Sequence, residues 1–103
     1  MTNSLTRWDI YEISSPKEPL HGVMLRGKIR KLGIEKNFNV LVENSEDADN
    51  RVRFAVITTV DAMHVIEYVK SIIDGAEIDL KLSNIVNPVI SKLKVNTESR
   101  YDL

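Results

Sequence analysis

Cysteine is absent from this sequence of 103 residues, and histidine occurs only at His21 and His64. A chain without cysteine has no disulfide framework, no thiol nucleophile and no thiolate ligand for a metal. Two histidines alone also give little support for a zinc site. We therefore expect neither a metal site nor a cofactor.

Long hydrophobic runs are also missing, since no window approaches the roughly 18 apolar residues of a membrane span. Neither sign of charge is in excess: 14 Lys and Arg stand against 15 Asp and Glu, a net charge of −1. Such a balance draws the whole protein neither to nucleic acid nor to an anionic membrane. Residues 1–7 are polar, lack the apolar core of a signal peptide and are expected to be flexible. We expect a cytoplasmic protein without a membrane or nucleic-acid partner.

Hydrophobic residues make up 43% of the chain, which is enough for one core at this length. The sequence shows no internal repeat, no low-complexity segment and no sign of a second core. It is therefore interpreted as a single domain spanning residues 1–103.

Hydrophobic periodicity divides this domain into six main elements. In chain order the prediction is a strand at 8–13, a helix from near Gly22 to Gly33, strands at 38–43 and 51–57, a helix between a Thr58 cap and Gly75, and a strand at 89–95. Alternation at Ile78, Leu80 and Leu82 leaves a further short strand open. The order βαββαβ predicts an α+β fold, a ferredoxin-like sandwich with an antiparallel sheet and two helices on one face.

The segment best suited to bind a ligand or to take part in a reaction is 20–26, where a loop with Gly22 leads into the first helix. Free backbone N–H groups at such a junction can bind a phosphate, and an arginine in the first turn adds a forked positive charge. Arg26 stands at that position. The same residues are also typical of a plain tight turn followed by a solvated helix, so the pattern alone leaves both interpretations open.

Residues 20–26, Leu-His-Gly-Val-Met-Leu-Arg, resemble the last seven positions of the acylphosphatase signature, Gly-x-Val-Gln-Gly-Val-x-Phe-Arg. Residues 41–44, Leu-Val-Glu-Asn, are similar to the family's Trp-Val-x-Asn segment, and Arg26 and Asn44 stand at the family's separation. Weaker similarities occur at 31–34, 76–79 and 101–103, so the resemblance extends from about Trp8 to Leu103.

This resemblance implies a hydrolase that cleaves carboxyl-phosphate anhydrides without a metal or a covalent nucleophile. Arg26 would bind the phosphoryl group and Asn44 would position the attacking water. The partner would be a small acyl phosphate, inorganic phosphate or a similar anion. The resemblance assigns the remainder of the phosphate-binding loop to His21, Gly22, Val23, Met24 and Leu25.

Departures from the family pattern favour an alternative. Glu18 falls where the first signature glycine is expected, and a carboxylate there would repel a phosphate. Pro19 removes a backbone N–H, and His21 replaces the usual glutamine. The alternative is a non-catalytic binding or interaction module of the same fold, in which the phosphate loop has decayed.

Two further hypotheses rest on charged stretches. The basic residues between Arg26 and Lys36 could attract RNA, but strand 51–57 has a single aromatic residue and lacks a base-stacking pattern. The acidic stretch 43–49 lacks the glycine and spacing of a calcium loop and is interpreted as a flexible hairpin tip. No hypothesis specifies the oligomeric state.

Overall fold

A computed structural model of the chain describes residues 6–17, 19–20, 24–86 and 88–95. Its main elements are, in chain order, β1 (Trp8–Ser14), α1 (Leu25–Lys36), β2 (Val40–Asn44), β3 (Arg51–Val56), α2 (Thr59–Ile72) and β4 (Glu77–Ile85). Two short strands follow, β5 (Pro88–Val89) and β6 (Lys94–Val95). The fold is therefore a small α+β domain, as the sequence predicts.

The four longer strands form one antiparallel sheet in the order β2-β3-β1-β4. β1 and β3 pair in continuous register, with Ile10 opposite Ala55 and Ile13 opposite Val52. The pairing of β1 with β4 shifts twice, between Trp8 and Ile10 and between Ile10 and Tyr11, and at each place β4 has one extra residue. This arrangement is compatible with a ferredoxin-like fold.

Both helices pack on the same face of the sheet. Apolar residues at spacings of three and four put Ile29 of α1 and Val65 of α2 into one core with Phe54 of β3, and all three are fully buried. Strand alternation supplies the sheet side of this core, through Ile13, Val42, Val52 and Val56. The predicted helix-covered face is thus present in the structure.

Helix α1 extends past Gly33, which the sequence predicts as its end. The helix continues to Lys36, and Asn37 ends it in the left-handed conformation at φ 59°. Gly33 instead lies where the helix approaches β2 most closely: a Cβ there would be 2.9 Å from Cγ1 of Val40 and 3.0 Å from the carbonyl oxygen of Phe38. The glycine is a packing requirement rather than a cap, so this prediction is wrong.

Helix α2 begins as predicted, because Oγ1 of Thr58 accepts a hydrogen bond of 3.1 Å from the Asp61 N–H. Its end differs slightly. The last helical residue is Ile72, and Gly75 lies in the turn beyond it at φ 75°. The glycine thus serves the turn into β4 rather than the helix end itself.

The last sheet strand is β4, the segment that the sequence leaves open, and not residues 89–95. Those residues belong to a small hairpin in which Pro88 pairs with Val95 and Val89 with Lys94. A turn separates the two strands, with Leu93 at φ 53°. The hairpin packs on the sheet face away from the helices, where Ile90 joins a second apolar cluster with Trp8, Ile10 and Ala55. The prediction of a sheet strand at 89–95 is wrong: these residues form the hairpin, and Ile90 packs against the sheet face instead of lying in a strand of the sheet.

Among the helices of the described segments, none is both long and apolar enough to cross a membrane. The expectations for residues 1–5 and for the similarity at 101–103 concern positions outside the described residues.

Candidate functional site

A cavity of about 320 Å³ lies where the start of α1 meets the end of β2. Its described lining consists of Leu20, Met24, Leu25, Arg26, Gly27, Arg30, Asn44 and Val52. This described lining includes two arginines and no aspartate or glutamate. The cavity is therefore chemically suited to an anion.

Arg26 and Asn44, the two residues assigned catalytic roles in the sequence analysis, both line this cavity. Arg26 is exposed in the first turn of α1, and Asn44 is the half-buried last residue of β2. They come from different elements, yet the packing of α1 on the sheet places them at one opening. A cation and an amide at one cavity can bind an anion and orient a neighbouring water.

The helix start at this cavity has no side-chain cap. Met24 occupies the cap position in the left-handed conformation, at φ 54° and ψ 40°, and makes no capping hydrogen bond. The first turn also contains no acidic residue. The first backbone N–H groups of α1 are therefore not satisfied by a side chain of the cap, and the positive end of the helix dipole is not neutralised locally.

Two of the predicted loop residues have separate structural roles. Met24 is 77% exposed at the rim of the cavity, whereas the side chain of Leu25 is buried in the helix-side core. Leu25 can therefore contribute to anion binding only through its backbone. The remaining predicted loop residues, His21, Gly22 and Val23, and the departure at Glu18 lie outside the described residues.

The entrance to the loop is held by Asn50, a residue that the sequence analysis does not single out. Its Oδ1 accepts a hydrogen bond of 2.7 Å from the Leu20 N–H, and its Nδ2 donates to the Ser15 carbonyl at 3.2 Å. Asn50 has a positive φ of 51° at the end of the β2–β3 turn. An asparagine in a polar turn signals only a turn, so this long-range contact has no signature in the sequence.

Arg30 is a second missed residue at the cavity. It follows Arg26 by one helical turn, and its Nη2 donates a hydrogen bond of 2.8 Å to the Val42 carbonyl of β2. The spacing of four could have revealed it, because residues so spaced share a helix face. The sequence analysis considers Arg30 only as one of the basic residues between Arg26 and Lys36.

A separate ionic network lies on the opposite face of the sheet. Glu12 and Arg53 are only 7% and 3% exposed, and Arg53 donates to Oε2 of Glu12 at 2.8 Å. Arg53 also donates to Oδ1 of Asp47 at 2.6 Å and to the Ser91 carbonyl at 2.7 Å. The acidic hairpin tip is therefore tied to the sheet through Asp47, which differs from its interpretation as a flexible tip.

The network shifts the pKa values of two of its members. The hydrogen bond from Arg53, reinforced by one from Ser45, lowers the pKa of Asp47 below its ordinary value. Burial by itself would lower the pKa of Arg53, but its bonds to Asp47 and Glu12 outweigh that effect and raise it. Both pKa shifts favour the charged forms, the Asp47 carboxylate and the Arg53 guanidinium.

Within the described segments, no three His, Cys, Asp or Glu side chains form a group that could hold a metal ion. His64 stacks on the ring of Phe38 with centroids 5.9 Å apart, outside the cavity lining.

No protein-family model matches the sequence, and a search of curated proteins gives no match either. The resemblance to acylphosphatases thus rests on the motifs themselves.

Proposed function

We propose that this chain is an acylphosphatase-like hydrolase that cleaves carboxyl-phosphate anhydrides. The observation that carries the proposal is the meeting of Arg26 and Asn44 at one cavity of about 320 Å³. These two residues are the pair for which the family resemblance predicts catalytic roles. The two residues are 18 positions apart in the sequence, and they meet because the fold brings the start of α1 to the end of β2.

The proposed chemistry uses charge and position. Arg26 binds two oxygens of the phosphoryl group, and the uncapped start of α1 offers backbone N–H donors beside it. Asn44 orients a water molecule for in-line attack on phosphorus. A bond forms between the water oxygen and phosphorus while the bond from phosphorus to the acyl oxygen breaks. The carboxylate leaves with the electron pair, and the water proton passes to the phosphate product.

The fold part of the proposal is the specific ferredoxin-like βαββαβ arrangement. It is supported by the order of the first six elements and by the strand order β2-β3-β1-β4. The β5–β6 hairpin is then an addition that covers the second face of the sheet.

The test is hydrolysis of acetyl phosphate by the purified protein and by Arg26→Ala and Asn44→Ala variants. Removing a donor that stabilises developing charge costs about 10²–10³ in rate, so we expect each variant to lose at least this much kcat/KM. Lys28→Ala is the matched control, because it removes a positive charge from the exposed side of the same helix but does not line the cavity. It should retain near-full activity.

A folded wild-type protein that shows no turnover above the spontaneous rate would refute the proposal. Equal activity in the Arg26→Ala variant would refute the role of that residue. Circular dichroism of each variant separates loss of activity from loss of fold.

One observation favours a second candidate, an anion-binding module without turnover. The Leu20 N–H at the start of the loop is used by Asn50 and so is not offered to a ligand. Phosphate binding that Arg26→Ala abolishes, without hydrolysis by the wild type, would identify this second function.

A further inference from the structure

A second cavity, which we call the edge groove, lies between the outer edge of β2 and residues 88–91. Its volume is about 260 Å³. Arg26 and Asn44 do not line it, so the edge groove is distinct from the candidate site, although Arg30 borders both cavities. Six of its nine described lining residues are apolar, and the other three are Arg30, Glu43 and Ser91.

Two opposite charges line the edge groove without being paired with each other. Arg30 is the one cation of the described lining and Glu43 is the one anion. No salt bridge in the described part of the chain includes either residue. A cation and an anion at one cavity, with an apolar lining around them, complement a ligand that carries both charges on an apolar body.

The backbone of Val42 adds a donor beside Arg30. The Val42 carbonyl accepts a hydrogen bond of 2.8 Å from Nη2 of Arg30, so it points away from β3 and toward the edge. In an antiparallel strand the N–H and the carbonyl of one residue point to the same side, so the Val42 N–H also faces outward. A guanidinium has five N–H donors, and a carboxylate beside Arg30 can accept from the remaining ones and from this backbone N–H.

The opposite wall of the edge groove is fixed by contacts with the sheet. The Ser91 carbonyl accepts hydrogen bonds from Nη1 of Arg53 at 2.7 Å and from the Glu46 N–H at 2.9 Å. Ile90 is buried in the apolar cluster on the second face of the sheet. The groove is therefore formed before a ligand arrives, and binding does not have to order this wall.

We propose that the edge groove binds a free α-amino acid with an aliphatic side chain. Arg30 and the Val42 N–H bind the carboxylate, Glu43 binds the ammonium group, and the aliphatic side chain packs on the apolar lining. The cavity is smaller than the roughly 300–1,000 Å³ typical of pockets for drug-sized ligands, which suits a single amino acid. This inference does not depend on the hydrolase function, because the two residues assigned to that reaction lie outside the edge groove.

The test is an NMR titration of the full chain with L-leucine and two analogues that each lack one charge. The analogue 4-methylpentanoate has no ammonium group, and 3-methylbutylamine has no carboxylate. Hydrogen bonds between charged groups are strong, so we expect leucine to bind at least about tenfold more tightly than either analogue. The amide signals that shift should be those of residues 40–43 and 89–91.

Two variants assign each charge of the ligand to its partner. Arg30→Gln should weaken leucine binding about tenfold and leave the Kd of 3-methylbutylamine unchanged, because that analogue has no carboxylate to lose a partner. Glu43→Gln should weaken leucine binding to a similar extent and leave the Kd of 4-methylpentanoate unchanged. A variant that merely disturbed the fold would weaken leucine and both analogues together.

Lys28→Gln and Asp49→Asn are the matched controls, since each removes one exposed charge at a position that does not line the edge groove. Both should bind leucine as the wild type does. Absence of saturable leucine binding, equal Kd values for leucine and its analogues, or leucine binding that both Arg30→Gln and Glu43→Gln leave unchanged would overturn the inference. Shifts centred on Arg26 and Asn44 would overturn it too, because they would place the amino acid in the other cavity.

Discussion

The two faces of the sheet are both buried, but by different means. On one face α1 and α2 cover an apolar layer that includes Phe54 and Val42. On the other face the β5–β6 hairpin covers a small apolar cluster around Trp8 together with the ionic pair of Glu12 and Arg53. One alternating pattern in β3 supplies both, because successive side chains point to opposite faces.

This difference shows what each kind of burial contributes. Apolar contacts are not directional, so the helix-covered face gains stability roughly in proportion to the area that it buries. A buried ion pair adds little net stability, but it tolerates few arrangements, because each charged group needs its partners. Arg53 reaches β1, the β2–β3 turn and the chain segment at Ser91 with one guanidinium. The helix-covered face thus supplies most of the stability, and the ionic face specifies where the C-terminal hairpin docks.

The largest expected effect comes from breaking the ionic face at its centre. Arg53→Ala removes the hydrogen-bonded partner of the buried Glu12 carboxylate and leaves it the longer ion pairs, each 3.7 Å, with Arg51 and Lys81. It also removes the donors to the Ile90 and Ser91 carbonyls. Removing one partner of a buried ion pair costs about 3–5 kcal/mol, so urea unfolding should show a loss of this size in the free energy of unfolding.

The control for this prediction replaces both partners, as Glu12→Leu with Arg53→Met. An apolar pair leaves no charge buried without a partner, so this double variant should recover most of the lost stability. A loss of unfolding free energy below about 1 kcal/mol in Arg53→Ala would contradict the prediction, because a loss that small is typical of a solvent-exposed ion pair.

An intermediate effect is expected on the helix-covered face at Gly33. A Cβ there would lie 2.9 Å from Cγ1 of Val40 and 3.0 Å from the Phe38 carbonyl oxygen, so Gly33→Ala forces these neighbours or α1 to shift. Overpacking of this kind costs about 1–3 kcal/mol, which should appear in the midpoint of urea unfolding.

Gly27 supplies the matched position, since a Cβ there meets no atom within 4 Å. Gly27→Ala should stabilise the protein by about 0.5–1 kcal/mol, because alanine is the better helix former. If both substitutions stabilise, the close approach of α1 to β2 is not a constraint on the fold.

The smallest effect is a pH dependence at the edge of the ionic face. Asp47 accepts hydrogen bonds from Arg53 and Ser45, which lower its pKa in the folded state. A carboxylate with a lowered folded-state pKa stabilises the protein above its unfolded pKa of about 3.9, and this contribution is lost as the pH falls through the folded pKa. The difference in unfolding free energy between wild type and Asp47→Asn should be constant from about pH 7 to pH 5 and narrow below about pH 4.

Asp49→Asn, in the same turn, is the control, because among the described residues Asp49 forms no ion pair. The difference in unfolding free energy between wild type and Asp49→Asn should not narrow at low pH in the way expected for Asp47→Asn. A difference between wild type and Asp47→Asn that does not change with pH would contradict the role of the Arg53 contact.

The sequence predicts the helix-covered half of the molecule well. The periodicity that places Ile29 and Val65 in the core is local, and so is the hydrogen bond with which Thr58 caps α2. The other half depends on contacts between distant residues. Whether Arg53 is solvated or buried depends on a segment almost 40 residues farther along the chain, and alternation alone makes it a polar outward position.

The candidate site divides in the same way. Arg26 and Asn44 follow from motifs, and the structure adds that they line one cavity. Arg30 and Asn50 act through a backbone carbonyl and a backbone N–H of distant residues. Nearly every residue has the same backbone groups, so the residue type at the accepting or donating position does not reveal such a contact.

The hydrogen bond from Arg30 to Val42 also bears on how open the sheet edge at β2 is to pairing with another chain. β2 forms one edge of the sheet, and edge strands present backbone groups that can pair with another chain. A strand that added to β2 would meet a carbonyl already bound by the guanidinium and a flank occupied by residues 88–91, which border the same edge across a cavity of about 260 Å³. At the opposite edge, β4 carries an inserted residue near Lys81, and both a bulge and a lysine discourage strand addition. Neither edge of the sheet is therefore a ready template for amyloid-like growth, and at β2 this protection depends on the same side chain that lines the anion site.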